Sequence, residues 1–91
     1  MPLFAIIRKP DAINNETLSA SLVRRYPENV YRLSKGQWIV ATSADQTARD
    51  FSKEIGIEAG KPYSGTLVVQ IQSYYGLYDK KVWDWMKARS G

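Results

Sequence analysis

The stretch "PLFAIIRK" at residues 2–9 most limits what this chain can fold into, because Leu3 to Ile7 run together without a polar residue and Pro10 closes the run. That pattern describes a central strand buried on both faces. Such a strand needs partners on either side of it and cover above and below.

The rest of the chain supplies those elements. "AINNETLSASLVRRYP" carries helix signals: Asn14 as N-cap, Glu16 in the first turn, and Ile13 placed to staple onto Leu18. Leu18, Leu22 and Tyr26 or Arg25 fall on one stripe, and Pro27 ends the helix. "NVYRLSKGQWIVAT" divides into strands at 30–33 and 37–42 around Ser34-Lys35-Gly36, where Gly36 is expected to take the positive φ of a tight hairpin. "SADQTARDFSKEIG" fits a capping box from Ser43 to Gln46, with Ala44, Ala48, Phe51 and Ile55 on one face and Gly56 as the C-terminal cap. Residues 57–64 read as a loop around Gly60 and Pro62. "GTLVVQIQ" alternates Leu67, Val69 and Ile71 against Thr66, Gln70 and Gln72, a strand with one wetter face. Asp79 then caps "KKVWDWMKAR", whose Val82, Trp85 and Met86 share a face.

The order is βαββαβ plus a C-terminal helix, in one domain over residues 1–91. Two right-handed crossovers joined by a hairpin predict an α+β, ferredoxin-like fold: a four-stranded antiparallel sheet with two helices on one face. The second face then needs cover from the terminal helix, a second copy or a ligand, and Trp38 and Val68 are at risk if they point there.

Composition narrows the chemistry. The chain has no cysteine and no histidine, which removes disulfides, thiol nucleophiles and imidazole acid/base work. No cofactor, resident metal or catalytic residue is assigned. Apolar runs fall far short of the roughly 20 residues of a spanning helix, and no leader-like pattern opens the chain, so a cytoplasmic chain without a membrane partner is expected. The net charge of +4 favours an anionic partner, DNA, RNA or an acidic protein.

Two surface constellations follow. "SYYGLYDKKVWDW" at 73–85 interleaves Tyr74, Tyr75, Tyr78, Trp83 and Trp85 with Lys80 and Lys81, and Lys87 follows. It suits a stacking platform for unpaired bases, a protein interface, or docking of Trp85 on the open sheet face. Arg24, Arg25, Arg32 and Lys35, with Arg8 and Lys9, form a basic edge provided that the helix end and the hairpin lie close together. "KGQWIVA" echoes an RNA-recognition signature only in Lys35 and Gly36. Asp45, Asp50, Glu54 and Glu58 are scattered, and Asp50 and Glu54 read as surface pairs with Arg49 and Lys53.

"QWIVATSADQTARDFSKEIG" followed by "GTLVVQI" resembles the second half of small Cas2-like and SinR-like proteins, over residues 36–72. The resemblance implies a homodimeric ferredoxin-like domain linked to nucleic-acid biology, with metal-dependent nuclease activity in some relatives. In that pattern an aspartate ends the first strand. Here Arg8 holds the position, the nearest carboxylate is Asp11, and a cation there would repel Mg²⁺. The sequence thus points to a non-catalytic binding module, with a degenerate or active nuclease and a small protein inhibitor or adaptor as the alternatives.

Overall fold

The computed structural model describes residues 1–43, 45–57, 62–74, 76 and 78–90. Its elements are β1 (Leu3–Ile7), α1 (Asn15–Arg25), β2 (Val30–Ser34), β3 (Gln37–Ala41), α2 (Ala48–Glu54), β4 (Leu67–Ile71) and α3 (Lys80–Ser90). The strands form one antiparallel sheet in the order β2-β3-β1-β4, an α+β architecture compatible with a ferredoxin-like arrangement. β1 pairs with both β3 and β4, so the apolar run that opens the chain occupies the centre.

Side chains alternate across the sheet, and each parity has its own core. Phe4, Ile6, Trp38 and Val40 pack with Leu18 and Leu22 of α1 and with Phe51 and Ile55 of α2 and its cap. Phe4 and Phe51 stack at 4.5 Å between ring centroids, and Tyr26 leans on Phe51. The opposite parity, Leu3, Ile39 and Ala41, packs with Val82 and Met86 of α3. Burying a side chain of this size contributes about 1.5–3 kcal/mol. The first core is the larger and the drier of the two: all its members but Ile55 have no exposure.

Trp38 and Val68 therefore do not face the open side. Trp38 is fully buried in the first core, donating from Nε1 to Ser19 Oγ at 3.2 Å, and Val68 packs against that core. Pairing dictates this, since Ile6 lies opposite both of them. The same register corrects the reading of β4: Leu67 and Val69 are exposed, at 57% and 43%, and Ile71 meets the second core.

Local signals are also revised. Ile13 is 82% exposed, so it does not staple onto Leu18. Asn14 sits at the α1 N-cap with φ 75° but makes no side-chain capping bond, and buried Asn15 instead donates to the Lys9 and Pro10 carbonyls. α2 starts later than Ser43: Thr47 is its N-cap, with Asp50 N donating to Thr47 Oγ1 and Thr47 N to Asp50 Oδ2. Gln46 donates to Glu54 rather than capping. Gly56 has φ 86° just beyond α2, as its capping role requires. Asp79 Oδ1 accepts from Lys81 N at the start of α3. Ala44 and residues 58–61, which include Glu58 and Gly60 of the 57–64 loop, lie outside the described residues.

Gly36 is not among the positive-φ glycines. Its reason for being glycine is proximity: a Cβ there would collide with the carbonyl oxygens of Arg8 and Lys9, where Arg8 N donates to Gly36 O at 2.7 Å. Both colliding groups are backbone, so relief must move the end of β1. Gly36→Ala is expected to destabilise the fold by on the order of 1–3 kcal/mol in urea unfolding, the usual cost of overpacking. No loss of stability would show that the hairpin can move away from β1.

Candidate functional site

α3 covers the second sheet face only in part. The register places Tyr31, Ile39, Ala5 and Val69 in one row across the sheet, with Gln37, Ile7 and Leu67 in the next. Leu33 sits in a bulge between Arg32 and Ser34 beside that row. Ile7 is 39% exposed, so with Leu67 and Val69 it leaves an apolar strip along the β4 side.

On the β2–β3 side the face forms a groove of about 340 Å³ lined by Leu33, Ile39, Tyr74, Tyr78, Trp83 and Met86, with Val82 and Gly76. Tyr74 tilts against Trp83 at 5.3 Å and its hydroxyl lies 3.1 Å from Ser90 Oγ. These contacts fix Tyr74 as a wall of the groove. Tyr78 is 56% exposed at the mouth. Among the described residues no lysine or arginine lines the groove. Lys80 and Lys87 are exposed on α3, one helical turn either side of Trp83. Asp84 pairs with Lys80 at 2.7 Å and raises the lysine's pKa, holding its charge.

The aromatic segment thus divides. Trp85 docks against the sheet, edge-on to Tyr31 at 5.8 Å, and the Arg89 guanidinium lies over its ring at 4.3 Å. Arg89 also donates to Glu28 O and Asn29 Oδ1, tying the end of α3 to the turn before β2. Among the described residues, Trp83, Tyr74 and Tyr78 are the aromatics that reach the groove. Lys81 is exposed on α3, and Tyr75 lies outside the described residues.

The basic residues do not form one edge. Arg8 is only 7% exposed; its guanidinium donates to Ile13 O, to Asn15 Oδ1 at 2.9 Å and to Ser64 O, and it approaches the Tyr63 ring. Its Nε has no partner among the described residues. Arg32 makes a two-pronged ion pair with Glu16, at 2.7 and 2.8 Å, and covers the Trp38 ring at 5.2 Å. That hydrogen bond from Arg32 holds the Glu16 carboxyl below the usual range. Lys35 is exposed at the hairpin, beside the start of α1, whereas exposed Arg24 and Arg25 occupy its last turn. Along the helix axis those two ends are about 14 Å apart. The condition on which a single basic edge depended is not met.

A polar cleft of about 320 Å³ lies at the C-terminal end of α1, lined among others by Arg25, Tyr26, Thr42, Gln46 and Glu54. Glu54 accepts from Gln46 Nε2 at 2.9 Å and from Tyr26 Oη at 2.8 Å, so these bonds lower its pKa. Tyr26 is pushed the other way, by burial and by its bond to the carboxylate. Glu54 is therefore occupied by these partners rather than by Arg49 or Lys53. Among the described residues no group of three metal-ligating side chains comes together, and none of their helices is long and apolar enough to cross a membrane.

Sequence reasoning missed the groove because its walls come from β2, β3, the segment after β4 and α3, which are adjacent only once the sheet is assembled. Comparison with known protein families finds no family model that matches the chain, and a search of curated proteins finds no match.

The burial of Arg8 gives a prediction that separates scaffold from site. Arg8→Ala leaves Asn15 Oδ1 and two carbonyls without their donor, and is expected to cost about 2–4 kcal/mol in chemical denaturation. Stability within about 0.5 kcal/mol of the parent protein would show that the guanidinium does not hold these loops together.

Proposed function

We propose that the chain is a non-catalytic binding module of ferredoxin-like fold that docks an acidic protein segment through the aromatic groove on its second sheet face. The observation that carries this reading is the groove itself: among the described residues its walls are aromatic and aliphatic with no cation, and α3, which supplies one wall, carries exposed Lys80 and Lys87 a helical turn either side of Trp83. Such a site suits a bulky apolar anchor flanked by carboxylates, since burial of the anchor supplies affinity and the lysines of α3 select the flanks. The strand order and the sharing of one core by α1 and α2 support the ferredoxin-like assignment. An inhibitor or adaptor would act in this way.

The nucleic-acid reading requires cations spaced to follow phosphates beside stacking rings. Arg8 and Arg32 are committed to internal partners, and Arg24 and Arg25 stand on α1 rather than on α3 with Lys80 and Lys87. The Cas2-like nuclease alternative needs a carboxylate after the first strand. Arg8 there is buried and carries the wrong charge for a metal ion, while Asp11 is exposed beyond Pro10.

Selection from a displayed random-peptide library tests the docking reading. Selected peptides are expected to combine Asp or Glu with a single large apolar anchor, and to lose at least about tenfold in affinity against Trp83→Ala or Tyr78→Ala, the order of loss expected for a groove anchor. Thermal melts of both variants check that the fold is retained. Parallel anisotropy titrations use labelled single-stranded and duplex DNA and RNA at about 50 and 200 mM salt. Micromolar oligonucleotide binding that weakens steeply with salt, with no acidic peptides selected, would contradict the reading and favour nucleic acid.

A further inference from the structure

The sheet has two edges, and they are not alike. At one edge, β2 carries Arg32 in its centre and is followed by exposed Lys35, charges that oppose pairing with another strand. At the other, β4 pairs only with β1 among the described strands. It has no proline, no charge and no bulge, and four of its five side chains are apolar, with Gln70 the exception. The uncharged run extends well past the strand: residues 62–78 contain no Asp, Glu, Lys or Arg, in a chain that is 24% charged with a net charge of +4. Natural edge strands are normally guarded against association, and this one is not.

We propose that β4 is a homodimerisation edge, pairing antiparallel with β4 of a second copy of this chain about a two-fold axis through Val69. This does not rest on the docking reading, since no residue of β4 lines the groove. Three features select a second copy as the occupant.

The first is charge. A two-fold interface sets each residue near its own copy, so any charge close to the axis meets its like. For a chain of net charge +4 that repulsion is reduced where the paired segment is itself uncharged, as residues 62–78 are.

The second is pattern. With the axis normal to the sheet, opposed residues must lie on the same face, and Val69 is the midpoint of Leu67–Ile71. Val69 then meets Val69 of the copy, and Leu67 meets Ile71. On the other face Val68 meets Gln70. The exposed apolar residues of β4, Leu67 and Val69, thereby gain apolar cross-strand neighbours. The strand is self-complementary in this register.

The third is continuity. The row Ile39, Ala5, Val69 extends through Val69 of the copy into the same row in reverse. Two four-stranded sheets join into one, and the apolar strip along Ile7, Leu67 and Val69 becomes the middle of a continuous face rather than its margin.

The chain's lack of cysteine makes the test direct. In an antiparallel ladder, directly opposed Cα atoms lie about 4.5–5.5 Å apart, within the range a disulfide spans. Val69→Cys is expected to form covalent dimers rapidly under mild diamide oxidation. Val23→Cys, at an exposed position on α1, is expected not to do so. By sedimentation, the parent protein is expected to reach twice the 10.4 kDa chain mass at high micromolar concentration. Val69→Lys should weaken self-association by at least about 100-fold, because it buries like charges at the axis. Its side chain would point to solvent in the monomer, so its melting temperature is expected to stay near that of the parent. An equimolar mixture of Val69→Lys and Val69→Asp should restore dimers.

Three results would overturn the proposal: a parent protein that stays monomeric at several hundred micromolar, a dimer that survives Val69→Lys, or cross-linking of Val69→Cys no faster than that of Val23→Cys.

Discussion

β1 is apolar on both faces and lies between two other strands, so the whole molecule is organised by the need to cover it twice. The two coverings are unequal. α1 and α2 close one face over Phe4 and Ile6, with Trp38 and Phe51 filling the space between strands and helices. Among the described helices only α3 serves the other face, joined by Tyr74, and it reaches Leu3 but leaves Ile7 exposed. A domain of this size buries a smaller share of its surface than a larger one does, and here the deficit is concentrated on one side of one sheet.

That asymmetry separates scaffold from working surface. Residues of striking chemical type turn out to hold the scaffold: Arg8 binds carbonyls at the end of β1, Arg32 clasps Glu16 over Trp38, and Arg89 ties α3 to the turn before β2. Such arginines bury their stems and occupy their guanidinium groups, and so contribute little to any phosphate site. The exposed apolar side chains of the sheet, Ile7, Leu67 and Val69, fall together on the second face.

The order of strands and helices was legible in the sequence because each element carries its own period and its own stops, such as Pro27 after α1 and Gly56 after α2. The facing of β4 was not. Apolar residues occur at both of its parities, and only pairing to β1, which sets Val68 opposite Ile6, decides which parity is covered. The start of α2 was ambiguous for a similar reason, since Ser43 with Gln46 and Thr47 with Asp50 both fit a capping pattern and only the second is formed. Arg8 read as a surface cation because nothing local reveals that Asn15 and the Ile13 and Ser64 carbonyls converge on it. The groove was half legible: its aromatics stood out as a cluster, but their partners Leu33 and Ile39 lie on strands far away in sequence.

Methyl-resolved NMR of a dilute sample with a paramagnetic co-solvent tests the unequal covering most directly. Strong attenuation is predicted for the methyls of Ile7, Leu67 and Val69, and intermediate attenuation for Leu33 in the groove, while Ile6, Leu18, Leu22 and Val40 stay protected. Equal protection of both sets would mean that the second face is closed, and the groove and the apolar strip would lose their standing as a working surface.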